Sequence, residues 1–192
     1  MTDPVVQIIV GSTRPGRVGS AVGEWLADTA RDHGGMQVEL IELADVDLPL
    51  FDEPQHPRFG QYEHEHTRRW SEIVDRADAF VFVVPEYNHG LNGATKNAID
   101  FLNKEWRYKP AGICSYGGVS AGARAAEQFI PILTVLKVVP LAEAIPIPFI
   151  RQFVDDDGRI EPNEVMEKAA PAMFAELLRY VEALAVLRGT AH

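Results

Sequence analysis

Short apolar runs alternate along the chain with segments whose apolar residues recur every three or four positions. The runs Val5 to Val10, Gln37 to Glu42, Ala79 to Val84, Ala111 to Tyr116 and roughly Ala142 to Ile147 predict five strands. Between them, Val18, Val22, Trp25, Leu26, Thr29 and Ala30 follow helical spacing, and the Gly34-Gly35 pair ends that helix. Trp70, Ile73, Val74 and Ala77 predict a second helix from near Thr67; a third opens at Gly93 or Ala94 and runs towards Trp106; a fourth spans Gly122 to Leu136. Asn163 is the expected N-cap of a fifth helix, whose stripe of Met166, Ala170, Met173, Phe174, Leu177, Val181 and Leu184 ends at Arg188-Gly189, with a kink expected at Pro171. Strands apolar on both faces, alternating with helices, predict an α/β three-layer sandwich around a parallel sheet. Pro146 and Pro148 cannot donate to a ladder, so the fifth strand belongs at an edge, as the order 2-1-3-4-5 requires. The segment Leu48 to His66, rich in proline, histidine and charge, is the one long loop.

At 192 residues the chain suits a single domain spanning 1–192. Its net charge of -10 repels nucleic acid and anionic membrane surfaces alike. Lys137, Glu143 and several prolines interrupt the most apolar stretch, so no membrane span is expected. Met1-Thr2-Asp3-Pro4 leads directly into the first strand with no secretory pattern, and Cys114 is the single cysteine; both fit a cytoplasmic location.

Three loops should meet beyond the carboxyl ends of strands one, three and four, where open α/β sheets bind ligands. The first, Gly11 to Ser20, joins a strand to a helix N-terminus, where free N–H groups and the helix dipole attract anions. It has no lysine of the Walker A type, and Thr13 and Arg14 stand where a dinucleotide fold wants its second glycine, although Glu42 near the end of strand two keeps that alternative open. Arg14 and Arg17 with the hydroxyls of Ser12, Thr13 and Ser20 suit a terminal dianionic monophosphate; an ordinary βα loop with solvated arginines is the other reading. The second loop, Pro85-Glu86-Tyr87-Asn88-His89-Gly90, is a rigid turn. The third, Tyr116-Gly117-Gly118, lets backbone approach a flat ring closely.

Gly11-Ser12-Thr13-Arg14, the Pro85 to His89 block, Lys96-Asn97-Ala98-Ile99-Asp100 and Tyr116-Gly117-Gly118 together resemble the NADPH-dependent FMN reductase family, over about Val5 to Gln128. The resemblance implies a flavodoxin-like fold, bound FMN, and NADPH or NADH as co-substrate, with two electrons passing to a quinone or similar small acceptor. It assigns Ser12, Arg14, Arg17, Val18, Gly19 and Ser20 to the flavin phosphate, and Pro85, Glu86, Tyr87, Asn88, His89, Gly90, Tyr116, Gly117 and Gly118 to the ring. No catalytic side chain is needed, because the flavin carries the chemistry. The family further implies a homodimer or tetramer, for which Phe59, Trp106 and Tyr108 are candidate contact residues, with burial in the core as the other reading of all three. A flavodoxin-type electron carrier and a flavin-binding module that regulates a partner protein are the alternatives.

Other motifs point elsewhere. Gly118-Val119-Ser120-Ala121-Gly122 matches a hydrolase nucleophile elbow, but the only later histidine is His192. His56, His64 and His66 lie close to Glu63 and Glu65, yet residues two apart diverge on a helix, and a solvated loop is favoured over a metal site. Cys114, in mid-strand, reads as a small core residue.

Overall fold

The computed structural model describes residues 3–189. In chain order it contains β1 (Val5–Val10), α1 (Gly19–His33), β2 (Gln37–Glu42), a single turn α2 (Leu43–Val46), α3 (Glu65–Asp75), β3 (Ala79–Tyr87), β4 (Gly90–Leu91), α4 (Gly93–Asp100), β5 (Pro110–Tyr116), α5 (Ala123–Val135), β6 (Val139–Ile147) and α6 (Glu164–Gly189). β2, β1, β3, β5 and β6 are all parallel and lie side by side in that order. This is the flavodoxin-like arrangement, with the expected sequence of parallel strands. The sheet has six strands rather than five, because the chain turns back after β3 and adds the two-residue antiparallel β4. That return is a two-residue hairpin through Asn88 (φ 49°) and His89 (φ 64°), both left-handed as a type I′ turn demands.

The strand faces segregate two cores. Val6, Ile8 and Val10 of β1 and Val81 and Val83 of β3 pack with Val22, Leu26 and Ala30 of α1 and Met173, Phe174 and Leu177 of α6. Ile9, Phe80, Phe82 and Val84 point to the opposite face, against Trp70 and Val74 of α3, Ile99 of α4, and Phe129 and Leu133 of α5. The fifth parallel strand begins earlier than expected, so Pro140 as well as Pro146 lies inside β6. β6 pairs only with β5, and its register slips between Ala111 and Ile113, which absorbs the interruption. Asn163 Oδ1 accepts from the Met166 amide at 2.9 Å, the N-cap read from sequence, and α6 then runs on through Pro171.

The third helix stops at Asp100 instead of reaching Trp106. The buried Glu105 carboxylate draws in the Asn103 amide (3.2 Å), the Tyr62 hydroxyl (3.0 Å) and the Ser71 hydroxyl (2.8 Å), and the chain turns into a 3-10 turn over Lys104–Trp106. This turn drives Trp106 into the core against Trp70, Phe80 and Phe82, with its Nε1 donating to the Ile99 carbonyl at 3.2 Å. Trp106 is fully buried and is therefore not a surface contact residue; Phe59 is exposed. No helix among the described residues is long and apolar enough to cross a membrane.

Trp106→Ala is expected to cost about 3–5 kcal/mol of stability, through lost burial and the cavity left behind. Equilibrium urea denaturation followed by circular dichroism measures it; a loss under about 1 kcal/mol would contradict the core placement.

Candidate functional site

Gly11 follows the last residue of β1, and its amide donates to the Val83 carbonyl of β3 at 2.9 Å. A Cβ on Gly11 would stand 2.0 Å from Thr95 Oγ1, so no side chain fits there. Asn92, the buried N-cap residue of α4, donates from Nδ2 to the Gly11 carbonyl at 2.6 Å and accepts from the Thr95 hydroxyl at 2.7 Å. Asn92 and Thr95 thus fix the start of the first loop. Neither stands out in the sequence, because a polar residue before a helix reads only as a cap.

The rest of that loop leads into α1. The N-cap of α1, Val18, offers no side-chain acceptor, and the first turn holds no acidic residue. The amides of Gly19, Ser20 and Ala21 consequently have no partner among the described residues. Arg14 is exposed; its carbonyl accepts from the Arg17 amide at 3.1 Å, while its guanidinium makes no hydrogen bond or ion pair among the described residues. Arg17, by contrast, is turned to the end of β2, where its guanidinium meets the Glu42 carboxylate at 3.0 and 3.1 Å. The same contact occupies the acid that a dinucleotide-type site would offer to a ribose.

The buried Ser12 hydroxyl lies 2.7 Å from the Tyr87 hydroxyl of the hairpin. Tyr116, at the end of β5, sets its own hydroxyl against α1: a Cβ on Gly19 would come within 2.6 Å of it. Burial pushes the Tyr116 hydroxyl pKa up, so the group stays neutral and able to donate. Ser12, Arg14, Arg17, Val18, Pro85, Glu86, Tyr87, Tyr116 and Gly117 all line one cleft of about 130 Å³. It has room for a phosphate group but not for a tricyclic ring. Ile150 and Arg151, which complete its wall, were not evident from sequence. They arrive because the Phe149 and Ile150 amides bond to the carbonyls of Gly118 and Gly117, which folds the segment after β6 over the third loop. Gly19, Ser20, Asn88, His89, Gly90 and Gly118 lie outside this cleft's lining.

The hairpin is held from behind. Glu86 accepts from the Ser120 hydroxyl (2.9 Å), the Arg124 amide (3.1 Å) and the Arg124 guanidinium (2.8 Å), so its carboxylate caps the first turn of α5. Burial alone would raise the pKa of the carboxyl, but these donors and the charge of Arg124 outweigh it and hold the group below the usual carboxylate range. Ser120, the serine of the elbow-like motif, therefore orients a carboxylate. Gln128 adds a second pin, donating to the His89 carbonyl at 3.2 Å and accepting from the Leu91 amide at 3.0 Å.

Elsewhere, Asn97 of α4 ties down the long loop, donating to the Pro49 carbonyl (2.7 Å) and accepting from the Phe51 amide (2.9 Å). His64 and His66 do not diverge. His64 precedes the first turn of α3, so the two rings stack at 5.1 Å, and His66 bonds Asp52 at 2.9 Å. Cys114 is buried, and burial pushes its thiol pKa up, as befits a core residue.

An uncapped helix N-terminus beyond β1, joined to a rigid hairpin beyond β3 and a glycine turn beyond β5, defines an anion-binding α/β site at the topological switch point. The sequence model of the NADPH-dependent FMN reductase family matches residues 4–152. An NAD(P)H-dependent FMN reductase of Nectria sp. is 38% identical over 150 residues, covering 73% of this chain and 74% of the relative. A quinone reductase of Pseudomonas putida is 27% identical over 163 residues, 81% of this chain and 83% of the relative. Among solved structures, the flavoenzyme NAD(P)H:(acceptor) oxidoreductase of Paracoccus denitrificans superposes with a TM-score of 0.76 at 22% identity, over 94% of this chain and 98% of that one. The chain belongs to the NADPH-dependent FMN reductase family. Its uncapped amides, its unpaired Arg14 and the Ser12 hydroxyl have the donor chemistry that a flavin mononucleotide phosphate requires.

Glu86→Gln should loosen the hairpin and lower stability at neutral pH by about 1–3 kcal/mol, because the network loses its charge and one of its two acceptor oxygens becomes a donor. With its folded-state pKa lowered, Glu86 contributes stability above the carboxylate range and loses it as pH falls through the folded value. The gap between the parent protein and Glu86→Gln in urea midpoint should therefore narrow on acidification; a gap constant with pH would contradict this role.

Proposed function

We propose that the chain is an FMN-dependent NAD(P)H oxidoreductase that passes two electrons from NADPH or NADH to a quinone or a similar small acceptor. The observation that carries this reading is the free N-terminus of α1, with three amides and the Arg14 guanidinium all lacking an internal partner, beside a hairpin braced at two points. In this reading Ser12, Arg14, Val18, Gly19 and Ser20 hold the phosphate, as donors or as the backbone that carries them. Arg17 acts one step back, keeping Glu42 neutralised beside an anion, since an unpaired carboxylate there would repel phosphate. The hairpin from Pro85 to Gly90 and the turn Tyr116, Gly117 and Gly118 bound the ring edge. Bound flavin supplies the electron exchange; the protein positions it, excludes water and offers neutral donors. Glu86 is committed to α5, so its backbone rather than its carboxylate faces the ligand.

We further propose that the whole chain works as one cytoplasmic domain and assembles as a homodimer or tetramer. Phe51, Pro57, Ile132 and Val135 line a cavity of about 670 Å³ between the long loop, α4 and α5, and with exposed Leu50 and Phe59 nearby this face suits a second copy better than solvent does.

Arg14→Ala is expected to weaken FMN binding by about 1.5–3 kcal/mol, or about 10- to 150-fold. Fluorescence quenching of titrated FMN measures this, and an unchanged affinity would move the phosphate elsewhere. Mixed anaerobically with NADPH, the FMN-loaded protein should bleach its flavin band and regain it on addition of menadione, with many turnovers in steady state. A carrier would oxidise NADPH negligibly, and a regulatory module would turn over slowly while changing affinity for its partner.

A further inference from the structure

At the opposite edge of the sheet, where α3 hands over to β3 and β5 begins, a cavity of about 820 Å³ is walled by Arg58, Arg76, Lys104, Arg107, Lys109 and Arg188. These are six of the chain's 18 lysines and arginines, whereas Asp75 and Asp78 are the only two of its 28 acidic residues in the lining. The wall therefore carries a formal charge of +4 (six minus two) in a chain of net charge -10. We propose that this cavity is a second anion site, which takes a compact polyanion of the pyrophosphate class.

Three of the six cations have structural work that accounts for them. Lys109 Nζ donates to the carbonyls of Val74 (3.0 Å) and Asp75 (3.1 Å) at the end of α3, Arg76 pairs with Glu39 at 3.3 Å, and Arg188 donates to the carbonyls of Tyr108 (3.2 Å) and Val181 (3.3 Å). The other three have no acid. Arg58, Lys104 and Arg107 form no ion pair with a carboxylate among the described residues; Arg58 lies over the Phe59 ring at 4.6 Å, and Arg107 bonds Asn103. Like charges brought together from a loop, a 3-10 turn and three other elements repel one another, and a bound anion relieves that repulsion. Lys109, although bonded, gains from an anion too: burial lowers its pKa to about 8, against the pull of Asp75 and Asp78, and a bound anion nearby favours its charged form.

The lining also selects the ligand. Ala77 and Tyr108 are the only residues of the lining without a charge or an aliphatic hydroxyl, and the spread of six cationic heads suits more than one phosphoryl group. The nine residues of β3 separate this cavity from the phosphate loop, roughly 30 Å at ~3.3 Å per residue, well beyond the screening length. The two anion sites are thus independent.

The test is calorimetric titration of inorganic pyrophosphate into FMN-loaded protein at about 0.1 M ionic strength, where the screening length is about 10 Å. A single saturable event is expected with the FMN site filled, weakened by at least about tenfold in a Lys104→Gln/Arg107→Gln double variant that retains its melting temperature, and unchanged when the FMN concentration is raised further. Tighter binding of ADP than of pyrophosphate would identify a nucleotide as the source of the polyphosphate, and equal or weaker binding the inorganic ion; both support the site. An equal response to sodium chloride at matched ionic strength, an unaltered affinity in the double variant, or displacement of bound FMN by the pyrophosphate would each overturn it.

Discussion

Gly11 is the point at which β1 leaves the sheet, and the space for a side chain there is already filled by the Thr95 hydroxyl. The glycine backbone is bonded on one side to β3 through Val83 and on the other to α4 through Asn92. The first loop therefore leaves the sheet from a point fixed by two neighbouring elements, although the loop beyond it is exposed from Thr13 to Gly16. Everything that follows depends on this anchor: the heading of α1, the free amides of its first turn and the approach of Ser12 to Tyr87.

A second constraint keeps the hairpin in place. Left-handed conformations at Asn88 and His89 are costly for residues with side chains, more so for His89 than for Asn88. They are held because Glu86 and Gln128 tie both limbs of the hairpin to α5. The hairpin and α5 consequently behave as one body, and the site is bounded by regular structure on two sides rather than by free loops.

Much of the fold was legible because a parallel sheet buried on both faces leaves an unambiguous trace in apolar runs, and helix ends such as Gly34 and Asn163 carry their own chemistry. The first two strands match their expected bounds residue for residue. β4 was hidden, since two residues are too few for periodicity, and the end of α4 was hidden because the reason for it is a buried carboxylate drawing on Tyr62 and Ser71, far away in sequence. The site divided in the same way. Ser12, Arg14, the Pro85 to Tyr87 stretch and Tyr116 were marked by glycine, proline and aromatic chemistry and do line the cleft, whereas Ile150 and Arg151 reach it only through backbone bonds to Gly117 and Gly118. Sequence leaves Trp106 open between interface and core, because an aromatic beside charged residues reads alike on a surface and at the end of a turn that dips into the core; the structure places it in the core.

The prolines of β6 have a consequence beyond their own strand. Pro140 and Pro146 leave gaps in the donor row along the outer rim of the sheet, and the register slip within β6 bends that rim further. At the other rim, β2 carries Glu39 and Glu42, each ion-paired with an arginine, and an added strand would have to desolvate those pairs. Neither rim is a template for strand addition. Both rims thus disfavour lateral growth of the sheet, the cross-strand polymerisation that an open parallel sheet invites.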